Sequence, residues 1–248
     1  MSGPENTQAV EIQINRKEYS ASGAGSRRQV LANIELHLAP GEFVALLGPS
    51  GCGKTTLLNI VAGLDREFDG ALRLPALNGR SEPMVSYVFQ NPRLLPWLTA
   101  RRNIELVLQN PKADFAQVEE LLAATGLSDA ADRYPSRLSV GMSRRVSLAR
   151  AFVIRPDLLL MDEPFTSLDE PTAHRLRLLL LSVWQTHRTT VLFVTHDLRE
   201  AITLADRIVF LAGTPTSIVR EMTVALAREA RHDEREVEKI RETILQGS

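Results

Sequence analysis

Residues 48–55 read GPSGCGKT, a glycine-rich stretch closed by a lysine and a threonine. The spacing G-x-x-x-x-G-K-[ST] suits a loop that wraps phosphate groups. Gly48, Gly51 and Gly53 let the backbone turn so that successive N–H groups face phosphate oxygens. Lys54 is placed to reach the β- and γ-phosphates of a nucleotide, and the Thr55 hydroxyl is a ligand for Mg²⁺. Pro49, Ser50, Cys52 and Thr56 complete the stretch expected to line the nucleotide. Cys52, the one cysteine of the chain, reads as a small filler rather than a catalytic thiol.

A second chemical signal lies about a hundred residues on. Leu158 to Glu163 reads LLLMDE, an apolar run ending in two carboxylates. Beside a phosphate-binding loop, Asp162 is expected to hold Mg²⁺ through its water shell. Glu163 is expected to polarise an attacking water as a general base. The second carboxylate favours hydrolysis by water over transfer to a bound acceptor.

These groups need elements to aim them. The run FVALL (43–47) has the continuous apolar character of a strand buried on both faces, and KTTLLNIVA (54–62) is helical in composition up to Gly63. The loop therefore leaves a strand and enters a helix, whose dipole adds positive potential at the phosphates. Strands are expected at 9–19, where Val10, Ile12 and Ile14 alternate with polar residues, and at 30–38, 85–89, 158–161, 191–195 and 207–211. SASGAGS (20–26) reads as a loop. Residues 97–155 are mainly helical, with Asp114 and Gln117 as a capping box and Gly126 as a stop. Pro171 opens a long helix to about Gln185, and Asp197 with Glu200 starts another. This alternation of strand and helix predicts an α/β fold with a mostly parallel sheet and helices on both faces. The charged tail from 226 carries one apolar stripe, Val237, Ile240 and Ile244, and reads as a docked surface helix.

Composition narrows the setting. The 248 residues carry a net charge of −1, which gives no reason to expect a nucleic-acid partner. The greasiest run, Leu178 to Trp184, is far shorter than the roughly 20 apolar residues a membrane-spanning helix needs. The N-terminal MSGPENTQAVEIQ lacks the basic-then-apolar pattern of a secretion signal. If the protein works at a membrane, another chain is expected to hold it there.

With these motifs in place, the chain resembles the ABC ATPases over nearly its whole length. FTSLDEP after LLLMDEP is similar to the family's D-loop, with Ser167, Leu168 and Asp169. VTHD carries His196, matching the switch histidine that contacts the γ-phosphate. VFQNP carries Gln90, matching the Q-loop glutamine that joins the metal site to the helical subdomain. Tyr19 resembles the aromatic residue on which adenine stacks. LSVGMSRRVSLARAF (138–152) stands at the signature motif, usually LSGGQ. Ser139 and Gly141 are kept, while Val140 replaces a glycine and Met142 a glutamine. The resemblance implies one domain over 1–248, with an N-terminal antiparallel β subdomain. Its nucleotide-binding core would comprise 1–90 and 156–225, its inserted helical signature subdomain 91–155, and its tail 226–248. It also implies ATP and Mg²⁺ as cofactors, with Thr55, Gln90 and Asp162 around the metal and Lys54, Glu163 and His196 as the catalytic set. Two copies are expected to close head to tail on two ATP molecules, with Ser139, Gly141 and Asp169 facing nucleotide.

FQNPRLLPWLTARRNIEL (89–106) and the tail are similar to importers of the nitrate, sulfonate and taurine group. That implies a peripheral subunit on the cytoplasmic face, held by a separate permease and served by an extracytoplasmic solute-binding protein. Three rival readings have discriminating features. A small-molecule kinase would not need the signature segment or His196. A soluble ABC ATPase of DNA repair carries a long coiled coil between loop and signature, and ribosome types carry two such domains. A binding module without catalysis would not need Glu163.

Overall fold

The computed structural model describes residues 9–20, 27–76, 80–111, 114–187 and 189–246. Most of the loop expected at 20–26 lies outside them. The chain forms two compact units, one from the residues up to Pro83 together with those from Thr190 onward, the other from Met84 to Thr189.

The first unit holds two sheets. β1 (Val10–Ser20) pairs antiparallel with β2 (Arg27–Leu38) on one side and β4 (Asp69–Arg73) on the other. Val10, Ile12 and Ile14 are all buried, as the alternation predicts. An irregularity in the pairing with β4 between Ile14 and Arg16 then breaks the period, and Lys17 faces inward, 2% exposed. The second sheet places β3 (Phe43–Leu47) between β7 (Thr190–Thr195) and β8 (Arg207–Ala212), all parallel. β7 is buried at every position and β3 at four of five, which explains their unbroken apolar sequences. β9 (Ser217–Thr223) closes the edge antiparallel to β8.

α1 (Lys54–Val61) follows β3 and ends where Gly63 takes φ +70. α6 (Leu198–Leu204) is capped by Asp197, whose Oδ1 accepts from Arg199 N at 2.7 Å. Glu200 accepts from the Thr195 hydroxyl at 2.6 Å. In the tail, α7 (Glu234–Gln246) buries Val237 and Ile244 and leaves Ile240 half-buried, and Arg199 of α6 pairs with Glu238 at 2.8 Å.

The second unit carries the parallel pair β5 (Val85–Val88) and β6 (Leu158–Asp162), together with α2 (Ala100–Glu105), α3 (Phe115–Ala124), α4 (Val140–Phe152) and α5 (Glu170–His187). Asn103, fully buried, ties down the turn before α2: its Oδ1 accepts from Leu95 N, and its Nδ2 donates to Leu95, Leu98 and Thr99 carbonyls. The capping box at Asp114 is not formed. Asp114 takes φ −93 and ψ 10, away from the extended backbone a cap needs, and makes no side-chain cap bond. Gln117 instead donates to the Val153 carbonyl past the end of α4. Gly126, at φ +61, ends the α3 segment as expected. The Leu178–Trp184 run lies inside α5, with Trp184 1% exposed. Among the described residues, no helix is long and apolar enough to cross a membrane.

Candidate nucleotide site

In open parallel sheets, ligands collect beyond the carboxyl ends of strands. In the first unit, Leu47 of β3 stands opposite Thr195 of β7, so Gly48 and His196 leave adjacent strand ends. In the second unit, Val88 of β5 stands opposite Met161 of β6, so Gln90, Asp162 and Glu163 gather at neighbouring strand ends. His196 and Gln90 are exposed there.

The loop has little freedom in residue choice. Gly53 caps α1 at φ +106, and a Cβ on it would lie 2.9 Å from Val30 Cγ1 and 3.0 Å from Leu31 Cδ2. Both the dihedral and the space demand glycine. A Cβ on Gly48 would come within 2.7 Å of the Leu211 carbonyl. Lys54 is 4% exposed, and its ammonium donates to the Gly48 and Pro49 carbonyls at 2.8 Å each. The cation is thus stored at the rim of the loop it is expected to serve. Pro49, Ser50, Gly51 and Thr55 are exposed, while Cys52 and Thr56 are half-buried.

Sequence reading missed the residue that fixes this loop from behind. Thr216, 2% exposed, donates its hydroxyl to the Cys52 carbonyl. Its backbone is clamped as well: Thr216 N donates to Val30 O, and Ala32 N to Thr216 O, both at 2.9 Å. Nothing in the segment TPTS marks that role.

Tyr19 lies near the start of α1. Its ring is 43% exposed and borders a cavity of about 610 Å³. Its hydroxyl donates to Asp65 Oδ2 at 2.8 Å and also bonds with the Thr56 side chain. Burial raises the hydroxyl's pKa above the ordinary value. Lys17 Nζ sits 4.5 Å from the ring centroid and 2.7 Å from Asp65 Oδ1. Burial works against the Asp65 carboxylate, but hydrogen bonds from Lys17 and Tyr19 outweigh it and hold its pKa below the usual value.

In the second unit, Asp162 is 7% exposed. Tyr87 of β5 hydrogen-bonds to it, and the tyrosine's pKa is pushed up by burial first and then by the Asp162 charge. Glu163 has φ +43, a left-handed backbone that non-glycine residues adopt at a cost of about 1–3 kcal/mol and that recurs at functional sites. The Thr166 hydroxyl donates to Glu163 Oε2 at 3.1 Å, which orients the carboxylate.

The signature segment forms a third cluster, in the same unit. Ser139 caps α4, its Oγ accepting from Met142 N at 3.1 Å. A Cβ on Gly141 would lie 3.0 Å from Thr172 Cγ2, so the glycine lets the start of α4 approach α5 closely. Val140 is 61% exposed. Ser139, Gly141 and Asp169 line one cavity of about 640 Å³. Asp169 accepts from Thr172 N at 3.1 Å, and hydrogen bonds from Thr172 lower its pKa below the ordinary value.

Comparison with known proteins identifies this assembly of motifs. Residues 31–166 match the family described as ABC transporter. The aliphatic sulfonates import ATP-binding protein SsuB of Bacillus subtilis (strain 168) is 42% identical over 243 residues, covering 96% of this chain and 93% of that protein. A second relative, the aliphatic sulfonates import ATP-binding protein SsuB 1 of Pseudomonas aeruginosa (strain UCBPP-PA14), is 48% identical over 218 residues, covering 85% and 86%. Among solved structures, the ATP-binding cassette MJ0796, captured as a dimer in a post-hydrolysis state with ADP and Pi, superposes with a TM-score of 0.73 at 28% identity, over 88% of this chain and 100% of that one. The fold agrees with these matches: the chain is an ATP-binding cassette of the ABC transporter family.

Proposed function

We propose that this chain is the ATP-hydrolysing subunit of an importer for a small anionic solute of the sulfonate type. The observation that carries the hydrolytic part is Glu163: a carboxylate in left-handed backbone, directly after buried Asp162, oriented by Thr166. It is the general base for water, and loop 48–56 holds the phosphates. On nucleotide binding, Lys54 exchanges the Gly48 and Pro49 carbonyls for β- and γ-phosphate oxygens. Tyr19 offers its ring to adenine, and His196 contacts the γ-phosphate.

Thr55, Gln90 and Asp162 suit Mg²⁺, since a hydroxyl, an amide carbonyl and a carboxylate are hard oxygen donors. Bound there, the ion would supply charge neutralisation at the phosphates. Asp162 is already buried and hydrogen-bonded by Tyr87, which orients it as a ligand. Ser139, Gly141 and Asp169 serve the nucleotide bound by a second copy, in a head-to-tail dimer.

The chain works at the cytoplasmic face of a membrane, held there by a permease, with a solute-binding protein on the far side. The sulfonate assignment rests on the names of the relatives. The test is reconstitution of the chain with its permease in vesicles, followed by phosphate release on addition of binding protein loaded with an alkanesulfonate, nitrate or taurine. Stimulation by the protein loaded with the alkanesulfonate or taurine, and not with nitrate, supports the reading. Equal rates with and without loaded binding protein would remove the import assignment.

A further inference from the structure

Arg144 on α4 has no part in the roles above. It is 7% exposed. Its Nη2 donates to the Thr166 carbonyl at 3.2 Å, but Nε and Nη1 are buried and have no hydrogen-bond partner among the described residues. Burial lowers the guanidinium's pKa below its ordinary value. An arginine does not shed its proton to escape such a site, so a buried guanidinium with idle donors is costly until an acceptor arrives.

The same side chain lines a cavity of about 530 Å³ beside the turn that follows β5. Its polar wall is made by Gln90, Asn91, Arg93, Ser143, Arg144 and Ser167, and none of its lining residues is an aspartate or glutamate. The wall is braced from behind. Arg150 donates to the Pro92 carbonyl at 2.7 Å and to the Arg93 carbonyl at 3.2 Å, and the Arg93 guanidinium stands 4.3 Å from the Phe89 ring centre. Two cations, two amides and two hydroxyls without a carboxylate make a surface selective for anions.

We propose that this cavity is an oxyanion subsite, taking a free organic sulfonate, sulfate, phosphate or carboxylate whose oxygens accept hydrogen bonds from Arg144 and the polar wall. The volume falls within the range of about 300–1,000 Å³ found for small-molecule sites, so the cavity holds an organic body as well as a charged head. The site also touches the chemistry. Arg144 holds the Thr166 carbonyl, and the Thr166 hydroxyl holds Glu163, so an anion that draws the guanidinium acts two hydrogen bonds from the general base. The proposal stands apart from the transport reading.

The test uses the protein labelled with ¹⁵N-arginine and saturated with ADP, so that loop 48–56 is filled. Sodium methanesulfonate and sodium sulfate are titrated at constant ionic strength against chloride, and the Arg144 Nε–H resonance is followed, assigned by its loss in Arg144→Lys. The expected result is a saturable shift, with calorimetric affinity at least about tenfold weaker in Arg144→Met. A flat response, or a linear one that chloride reproduces, overturns the proposal. If Arg144→Met does not fold, the wild-type resonance alone decides. Repeating the titration in the permease-bound assembly separates the two sources of such chemistry. A free ligand still saturates there. A resonance already shifted and unresponsive assigns the site to a neighbouring chain's carboxylate and overturns the free-ligand reading.

Discussion

Replacing Thr216 by valine keeps its shape and removes one hydroxyl. That hydroxyl donates to the Cys52 carbonyl inside loop 48–56, from a side chain that is 2% exposed. Valine leaves the carbonyl without this donor, and a buried group stripped of its partner costs about 1–3 kcal/mol. The backbone bonds of Thr216 to Val30 and Ala32 remain, so the strand ends stay joined and the loss is confined to the loop. The loop then samples arrangements in which its N–H groups diverge. If about half of that cost falls on the nucleotide-competent arrangement, ADP binding weakens about two- to twelvefold, since about 1.4 kcal/mol is a factor of ten. Calorimetric ADP titration and urea unfolding of the wild type, Thr216→Val and Thr216→Ser check this. Serine keeps the donor and should stay within about twofold of the wild type. Equal ADP affinity and equal unfolding midpoints for all three would refute the reasoning, because the hydroxyl would then contribute nothing to the loop.

Other substitutions probe neighbouring contacts. Gly53→Ala puts a Cβ at φ +106 and within 3.0 Å of two β2 side chains, so thermal unfolding should show a loss of about 1–3 kcal/mol together with loss of ADP binding. Lys54→Ala should abolish phosphate release while leaving the circular-dichroism spectrum unchanged. Asp65→Asn leaves the buried Lys17 ammonium without its counter-charge and should cost up to about 3 kcal/mol at pH 7. Because the folded pKa of Asp65 is lowered, its contribution is complete above the reference value of 3.8 and is lost as pH falls through the folded value. The stability gap between wild type and variant, read from urea midpoints, should therefore close as pH is lowered below 3.8.

The sequence is most legible where one short segment holds the whole signal. GPSGCGKT holds its whole pattern in eight consecutive residues, and β3, β6 and β7 announce themselves as unbroken apolar runs because they are buried on both faces. β4 and β9 do not. DGALR offers one short apolar pair, and SIVREMT carries Arg220 and Glu221 in its middle, as an edge strand can. The alternation of Val10, Ile12 and Ile14 gives no sign of buried Lys17, which the irregularity between Ile14 and Arg16 brings inward toward Asp65. Asp114 has the composition of a cap without the backbone angles of one. Thr216 lies 164 residues from the carbonyl it holds, and Arg144 sits in a run of polar residues that gives no hint of its burial. These are tertiary facts: each depends on which segment arrives beside the residue, and no local pattern encodes that.

The central claim is that Glu163 activates water for hydrolysis and that nucleotide, while it stays intact, holds two copies together. Glu163→Gln keeps the shape of the side chain and removes its basicity. Sedimentation of this variant with Mg²⁺ and ATP, run beside a phosphate-release assay, measures both halves of the claim at once. The account predicts release slowed by at least about a hundredfold and a stable ATP-containing dimer. A variant that binds ATP yet remains monomeric, with the permease present and absent, or one that releases phosphate at the wild-type rate, would contradict it.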